Sequence, residues 1–461
     1  MIEDKNGAVS CSLGIVLFMV GMVSPGVAVA ITHEEILKKQ EIIPSLTGAY
    51  DHFGTSIAVS GDILAVGMPN YDSFWEDSGT VYLYEKINNH WKEKKRLLAR
   101  TQQQQGLFGY SVAIEGPYLV VGEPGTLNRQ NGYAHVFHRD KGGPNNWGWV
   151  RTLSKPDDCY LRVSDRFGES VSISDGKVLI GAPKACKNRQ SWMETTGAAY
   201  LYTNYGANLI KKLIAHNGED YDYFGASVSV CDSFAFVGAP DADSGVLRSN
   251  SGAAYLFNAE NSWGLHSYLR PHDTQEGDRF GQSLSCHAGA AVIGAPASSK
   301  AYGSDLRKGS IYFYHNNDDG GDAWLFKAKL HEESYFNEDP DRNNLFGQTV
   351  SIRDNYLMVG YGESEKSEAD LEPVAQIFKL KNGEWKLLKG MVLKKEPSCQ
   401  TSSIDKGISV ATDGATFVTG DMENESTSEK CAIGVGSAAI FERSFREIIN
   451  MSPVLLLLKK K

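Results

Sequence analysis

The sequence predicts an all-β fold: a seven-bladed β-propeller of four-stranded antiparallel blades, closed by an N-terminal strand that completes the last blade. Three observations predict it. A Phe-Gly pair recurs six times, at Phe53-Gly54, Phe108-Gly109, Phe167-Gly168, Phe224-Gly225, Phe280-Gly281 and Phe346-Gly347, with Lys406-Gly407 in a seventh slot. Neighbouring copies lie 55 to 66 residues apart, a period that marks stacked copies of one supersecondary unit. Each copy also reads as four short strands, and in five of them a Gly-x-Pro turn ends the second strand.

The fourth copy is the clearest. Residues 224–230 (FGASVSV) alternate polar and apolar, the period of a half-buried strand. Residues 233–238 (SFAFVG) follow after a link short enough to require a tight hairpin, and Pro240, which cannot donate to a ladder, ends the pairing. A loop leads to a third strand over 252–257 (GAAYLF). Fourth strands start at tryptophan in most copies, at Trp91, Trp149, Trp263, Trp324 and Trp385. Four short antiparallel strands repeated seven times make the blades of a propeller. The glycines are expected where blades converge and a Cβ would collide, and the phenylalanines in the wedge between blades. Residues 37–54 align with 92–109, the fourth strand and lead-in of the first repeat, while the last repeat has three convincing strands. Glu41 to Leu46 is therefore expected to complete blade seven and cover its open edge.

Three segments follow: 1–30, 31–443 as the propeller, and 444–461 as a C-terminal tail. Leu13 to Val23 is an apolar core of signal-peptide length, and Ala28-Val29-Ala30 supplies a small-x-small cleavage pattern. An uncleaved anchor is the alternative; the mature chain has no other segment long enough to span a bilayer. Formal net charge is −10, which argues against a nucleic-acid binder and against docking on anionic lipid. A secreted, cell-surface or periplasmic location follows. Cys159 with Cys186, and Cys399 with Cys431, flank single repeats and suit within-blade disulfides in an oxidising compartment. Cys286 falls in an inward apolar slot and reads as a buried thiol.

The Phe-Gly and Gly-Ala-Pro signature, intact at Gly181, Gly238 and Gly294 with variants at Gly67-Met-Pro69 and Gly122-Glu-Pro124, resembles the FG-GAP repeats of integrin α-subunit propellers and of secreted FG-GAP proteins. Gly360-Tyr-Gly362 and Gly420-Asp-Met422 depart from it in blades six and seven. The resemblance implies adhesion or surface attachment. Integrin propellers hold Ca²⁺ in Asp-rich hairpins, but here the hairpins (Ser60-Gly-Asp62 and Ser174-Asp-Gly-Lys177, for instance) lack the several oxygens calcium requires. No metal and no cofactor are expected.

In an up-and-down blade the short hairpins share one face and the long loops after Gly-x-Pro share the other. Functional residues collect on long loops held by a rigid scaffold, so the second face is the expected binding surface. It carries Tyr71, Asp72, Phe74, Trp75, Trp192, Tyr221, Asp222, Tyr223, Asp241, Asp243, Tyr302 and Asp305. Exposed rings with carboxylates suit an extracellular protein or glycan ligand. The competing account of each residue is that Asp caps turns and Tyr packs on its own blade. Catalytic signals are thin. Gly168-Glu-Ser-Val-Ser172 fails the Gly-x-Ser-x-Gly pattern at its last position, and its serine recurs as Ser56, Ser111, Ser227 and Ser283, a repeat position. The expectation is an exported, non-enzymatic, ligand-binding propeller. The alternative is a hydrolase or lyase acting on polysaccharide or a phospholipid head group near the channel mouth.

Overall fold

The computed structural model describes residues 30–46, 48, 50–101, 103–126, 130–156, 164–186, 195–243, 250–297, 309–316, 323–331, 345–361, 372–393, 408–421 and 436–449. The signal-peptide reading of the N-terminus thus falls outside them up to residue 29. The chain forms seven four-stranded sheets, and their inner strands surround one channel. Those strands are Ile57–Ser60, Ser111–Glu115, Ser170–Ser174, Ser227–Cys231, Ser283–His287, Thr349–Arg353 and Ile408–Thr412. Among the described residues one helical element occurs, the 3-10 turn Ala259–Asn261, and no helix is long and apolar enough to cross a membrane.

Blade four shows the plan. Ser227–Cys231 pairs antiparallel with Phe234–Ala239, which pairs with Ala253–Asn258, which pairs with Gly264–Leu269. The last pairing slips by one residue between Leu256 and Phe257, and a slip recurs between the third and fourth strands of blades one to six. Such bulges increase local twist. In blade seven the order is Ile408–Thr412, Thr416–Asp421, Ser437–Ile449 and, outermost, Ala30–Ile42. The N-terminal strand thus ends at Ile42 and does not run to Leu46, because Pro44 has no amide to offer the ladder. By contacts the chain divides into Lys38–Glu442, which holds the blades, and a second unit of residues 1–37 and 443–461. The described part of the second unit, 30–37 and 443–449, is extended strand.

The core lies between blades. Six apolar clusters each draw on two neighbouring blades, and a Phe-Gly phenylalanine with no exposed surface sits in every one. Phe224 makes an edge contact with Tyr255 at 5.1 Å, and Phe280 makes the same contact with Tyr312 at 5.2 Å. Toward the rim Trp91, Trp147, Trp263, Trp324 and Trp385 close the same seams. The glycines behave as close packing demands. Gly225 has φ +98°, and a Cβ on Gly181 would lie 2.0 Å from the Gly225 carbonyl oxygen of the next blade.

The recurring serine is a rivet between blades. Ser56 Oγ donates to Gly109 O (2.7 Å), Ser111 to Gly168 O (2.8 Å), Ser170 to Gly225 O (2.9 Å) and Ser227 to Gly281 O (2.6 Å). Ser283 donates to Gly347 O (2.8 Å), Thr349 to Ile408 O (2.6 Å) and Ser409 to Gly54 O (2.6 Å). Seven hydroxyls therefore link seven blades in a closed circle, the last joining the end of the chain to its beginning. A second tier covers four seams: Ser172, Ser229, Ser285 and Ser351 accept the amides of Val230, Cys286, Ile352 and Thr412. At the other three seams the equivalent residue is alanine: Ala411, Ala58 or Ala113.

Cys286 is not a free thiol. It is disulfide-bonded to Cys231, with Cα atoms 5.9 Å apart, because these positions on neighbouring inner strands face each other across the seam of blades four and five. Cys186 is also disulfide-bonded; Cys159, Cys399 and Cys431 lie outside the described residues.

Candidate functional site

On the long-loop face, the best-built projection is the blade-one loop 69–79. Its ends are tied by Gly79 N–H donating to Tyr71 O, and Ser78 N–H donates to Trp75 O. Asp72 Oδ1 accepts the Asp77 amide (2.8 Å), and the Ser73 and Ser78 hydroxyls meet at 2.6 Å. The loop is then fastened to the next blade, where Gln105, Leu107 and Phe108 donate their amides to the carbonyls of Glu76, Asp77 and Ser78. From this fixed backbone Phe74 and Trp75 project with 65% and 58% of their surface exposed. Tyr71 is half-buried; its hydroxyl accepts from Arg96 Nη1 at 2.8 Å.

The lead-in to blade one lies alongside. His52 Nδ1 and Asn70 Oδ1 are 3.0 Å apart, and Asn70 Nδ2 donates to Asp77 Oδ1. Tyr50 is 58% exposed. Asp51 is buried and accepts the Gly48 amide. Burial pushes its carboxyl above the usual range, and the nearby charges of Asp72 and Asp77 act in the same direction.

The second cluster is on the loops around blade four. Tyr221 is 65% exposed, whereas Asp222 is buried and accepts the Glu219 amide at 2.8 Å. Burial raises Asp222 to about 6, with Glu219 and Asp243 adding to the shift. Tyr223 is half-buried with φ +54°, a conformation shared by the residue before Phe-Gly in all six copies. Asp241 pairs with Arg279 Nε at 2.9 Å, and Asp243 accepts the Asn250 amide. The structure therefore separates the predicted residues. Phe74, Trp75 and Tyr221 are presented to solvent, while Asp222 and Tyr223 occupy repeat positions of the fold. Trp192, Tyr302 and Asp305 lie outside the described residues. The structural role of Asp222 is legible in the sequence, since Asp51, Asp165 and Asp278 also stand two residues before a Phe and are also buried.

Sequence reasoning missed a buried pair in blade two. Glu123 and His135, both without exposed surface, meet at 2.6 Å (Oε2 to Nε2). Thr101 and Gln103 also donate to Glu123; Thr152 Oγ1 lies 3.0 Å from His135 Nδ1 and accepts from Trp149 Nε1. Blades one, three, four and five place Tyr82, Tyr200, Tyr255 and Tyr312 where His135 stands, and Met or Ala where Glu123 stands. The two departures compensate each other: a shorter ring leaves room for a carboxylate that hydrogen-bonds to it. With every atom enclosed, the pair offers a substrate no access.

The channel encloses about 270 Å³ and is walled by the seven inner strands. At its hairpin end the carboxylates cap turns of the neighbouring blade: Glu115 accepts the amides of Asp175 and Gly176, and Asp413 accepts the Gly61 amide. Their oxygens are thereby engaged, and among the described residues no group of three or more His, Cys, Asp or Glu is arranged to hold a metal ion.

No curated protein matches the chain as a relative. The FG-GAP repeat family matches residues 37–84, 91–137, 162–202, 208–257 and 263–314, more than half of the chain. Each match ends on the third strand of one of blades one to five, and blades six and seven, with their altered Gly-x-Pro turns, carry none. With seven four-stranded blades, buried Phe-Gly phenylalanines at the seams and Gly-x-Pro turns on the loop face, the chain belongs to the FG-GAP repeat family.

Proposed function

We propose that this protein is an exported, non-enzymatic propeller that binds an extracellular protein or glycan through its long-loop face, in the manner of surface attachment. The observation that carries this reading is the blade-one loop, whose backbone is fastened at both ends and to the next blade while Phe74 and Trp75 stand in water. Large rings carried on a backbone that is fixed before binding spare the entropy cost of ordering the loop, a property of interface anchors. Tyr221 adds a third exposed ring on the same face. Export is supported by the signal-like N-terminus and by disulfide-bonded Cys186, Cys231 and Cys286.

The test is a glycan-array and cell-surface binding screen of the purified protein, repeated with Trp75→Ala and Tyr221→Ala. Binding is expected to weaken about tenfold or more in the Trp75 variant. Stability should change by less than about 0.5 kcal/mol in both, since the rings are exposed. Unaltered binding in both variants would remove the proposed face. Tyr221 is the better probe than Tyr223, whose ring is half-buried at a repeat position of the blade.

A further inference from the structure

The blade-one loop carries its acids without an ion pair among the described residues. Asp72, Glu76 and Asp77 share the loop that carries the exposed rings of Phe74 and Trp75, and the buried Asp51 stands next to exposed Tyr50 in the chain. Among the described residues none of these four carboxylates is in a salt bridge. Each instead accepts a neutral donor: the Gly48 amide, the Asp77 amide, Gln104 Nε2 and Asn70 Nδ2 respectively. The nearby base Arg96 is engaged with the Tyr71 hydroxyl and ring. No Lys or Arg occurs between residues 50 and 85. Around blade four the acids are balanced differently, since Arg279 pairs with Asp241 and Arg270 lies close enough to lower Asp222.

Resting on the reading of this face as a binding surface, we infer that the Phe74–Trp75 loop takes a basic protein segment, with Lys or Arg side chains laid on the two rings and their charges met by Asp72 and Glu76. The rings offer a negative face to a cation, and the carboxylates, without an ion pair among the described residues, supply the attraction that a neutral glycan does not use. The amide bonds that fasten the loop do not themselves cancel those charges, because an amide donor orients a carboxylate without neutralising it.

The test uses the whole protein and three probes: a fluorescent Lys/Arg hexapeptide, a Glu hexapeptide and a panel of neutral oligosaccharides. The basic peptide should bind at least tenfold more tightly than the acidic one. Trp75→Ala, which changes no charge, should lower that affinity about tenfold, as expected for an anchoring ring. Asp72→Asn with Glu76→Gln, which keeps the rings and the capping acceptors, should lower it as well. Binding should also fall between about 0.1 M and 1 M salt, as the Debye length shrinks from about 10 Å to about 3 Å. Equal affinity for the two peptides, or basic-peptide binding indifferent to Trp75→Ala, would overturn the inference; the latter is what diffuse attraction to an acidic protein predicts. An oligosaccharide lost on Trp75→Ala, with no basic-peptide preference, would overturn it while leaving the binding face intact.

Discussion

Asp222 shows how one residue can be read for function and belong to structure. Its side chain caps the turn that leads into Phe224-Gly225, and burial there raises its carboxyl to about 6, above the usual value of 3.8. The folded state therefore holds a proton that the unfolded chain has released, so this group favours folding at low pH and loses that contribution as pH rises from about 4 to about 6. Asp222→Asn keeps an acceptor for the Glu219 amide and removes the titration. Thermal melts from pH 4 to 8 should show the variant gaining on the wild type as pH rises; parallel curves would contradict the assignment. Asp51, in the same slot of blade one, is shifted in the same direction. Glu123 and His135 teach the complementary lesson. Neither residue is informative alone, and only their pairing explains why blade two departs from both the Met or Ala and the Tyr of the blades beside it.

At the scale of the strand, the inner strands are riveted across each seam by hydroxyls from one register position, and the second tier depends on whether the next inward residue is Ser or Ala. Val230 is buried, and its amide bonds to Ser172 Oγ at 3.0 Å. Ser172→Ala should cost about 1–2 kcal/mol by leaving that donor unmet. At the seam of blades two and three, Ala113→Ser should supply the missing acceptor for the Ile173 amide and add about 0.5–1.5 kcal/mol. Urea unfolding of the pair measures both. A Ser at 113 that fails to stabilise would mean that the alanine seams differ in spacing from the serine ones. The repeated Ser was visible in the sequence as a period; its partner was not, since the bond joins residues about one blade apart.

The seven blades make a circle closed in more than one way. Ser409 reaches Gly54, Phe53 bridges Gly436, and the N-terminal strand takes the outer place in blade seven. On the circle sits one described inter-blade disulfide, Cys231–Cys286, closing a loop 55 residues long. Replacing both cysteines with serine should lower stability by about 2–4 kcal/mol, chiefly by freeing the unfolded chain. Comparing denaturant midpoints of the two oxidised proteins tests this; equal midpoints would show that the hydroxyl rivets and Phe wedges hold the seam unaided.

Much of this was decided by local chemistry. The Phe-Gly period, the alternation of the inner strands, the proline stops and the rim tryptophans each dictate a short strand or a turn, and only a ring of blades buries all of them together. Blade count, strand number and the loop face follow from the sequence for that reason. What it leaves open are side-chain pairings and exposure: the disulfide of Cys231 with Cys286 across a seam, the Glu123–His135 bond between two strands of blade two, and which of the loop-face rings stand in solvent. Those depend on the distance and facing of side chains that lie about one repeat apart or on different strands, and these quantities exist only after the blades have closed on one another.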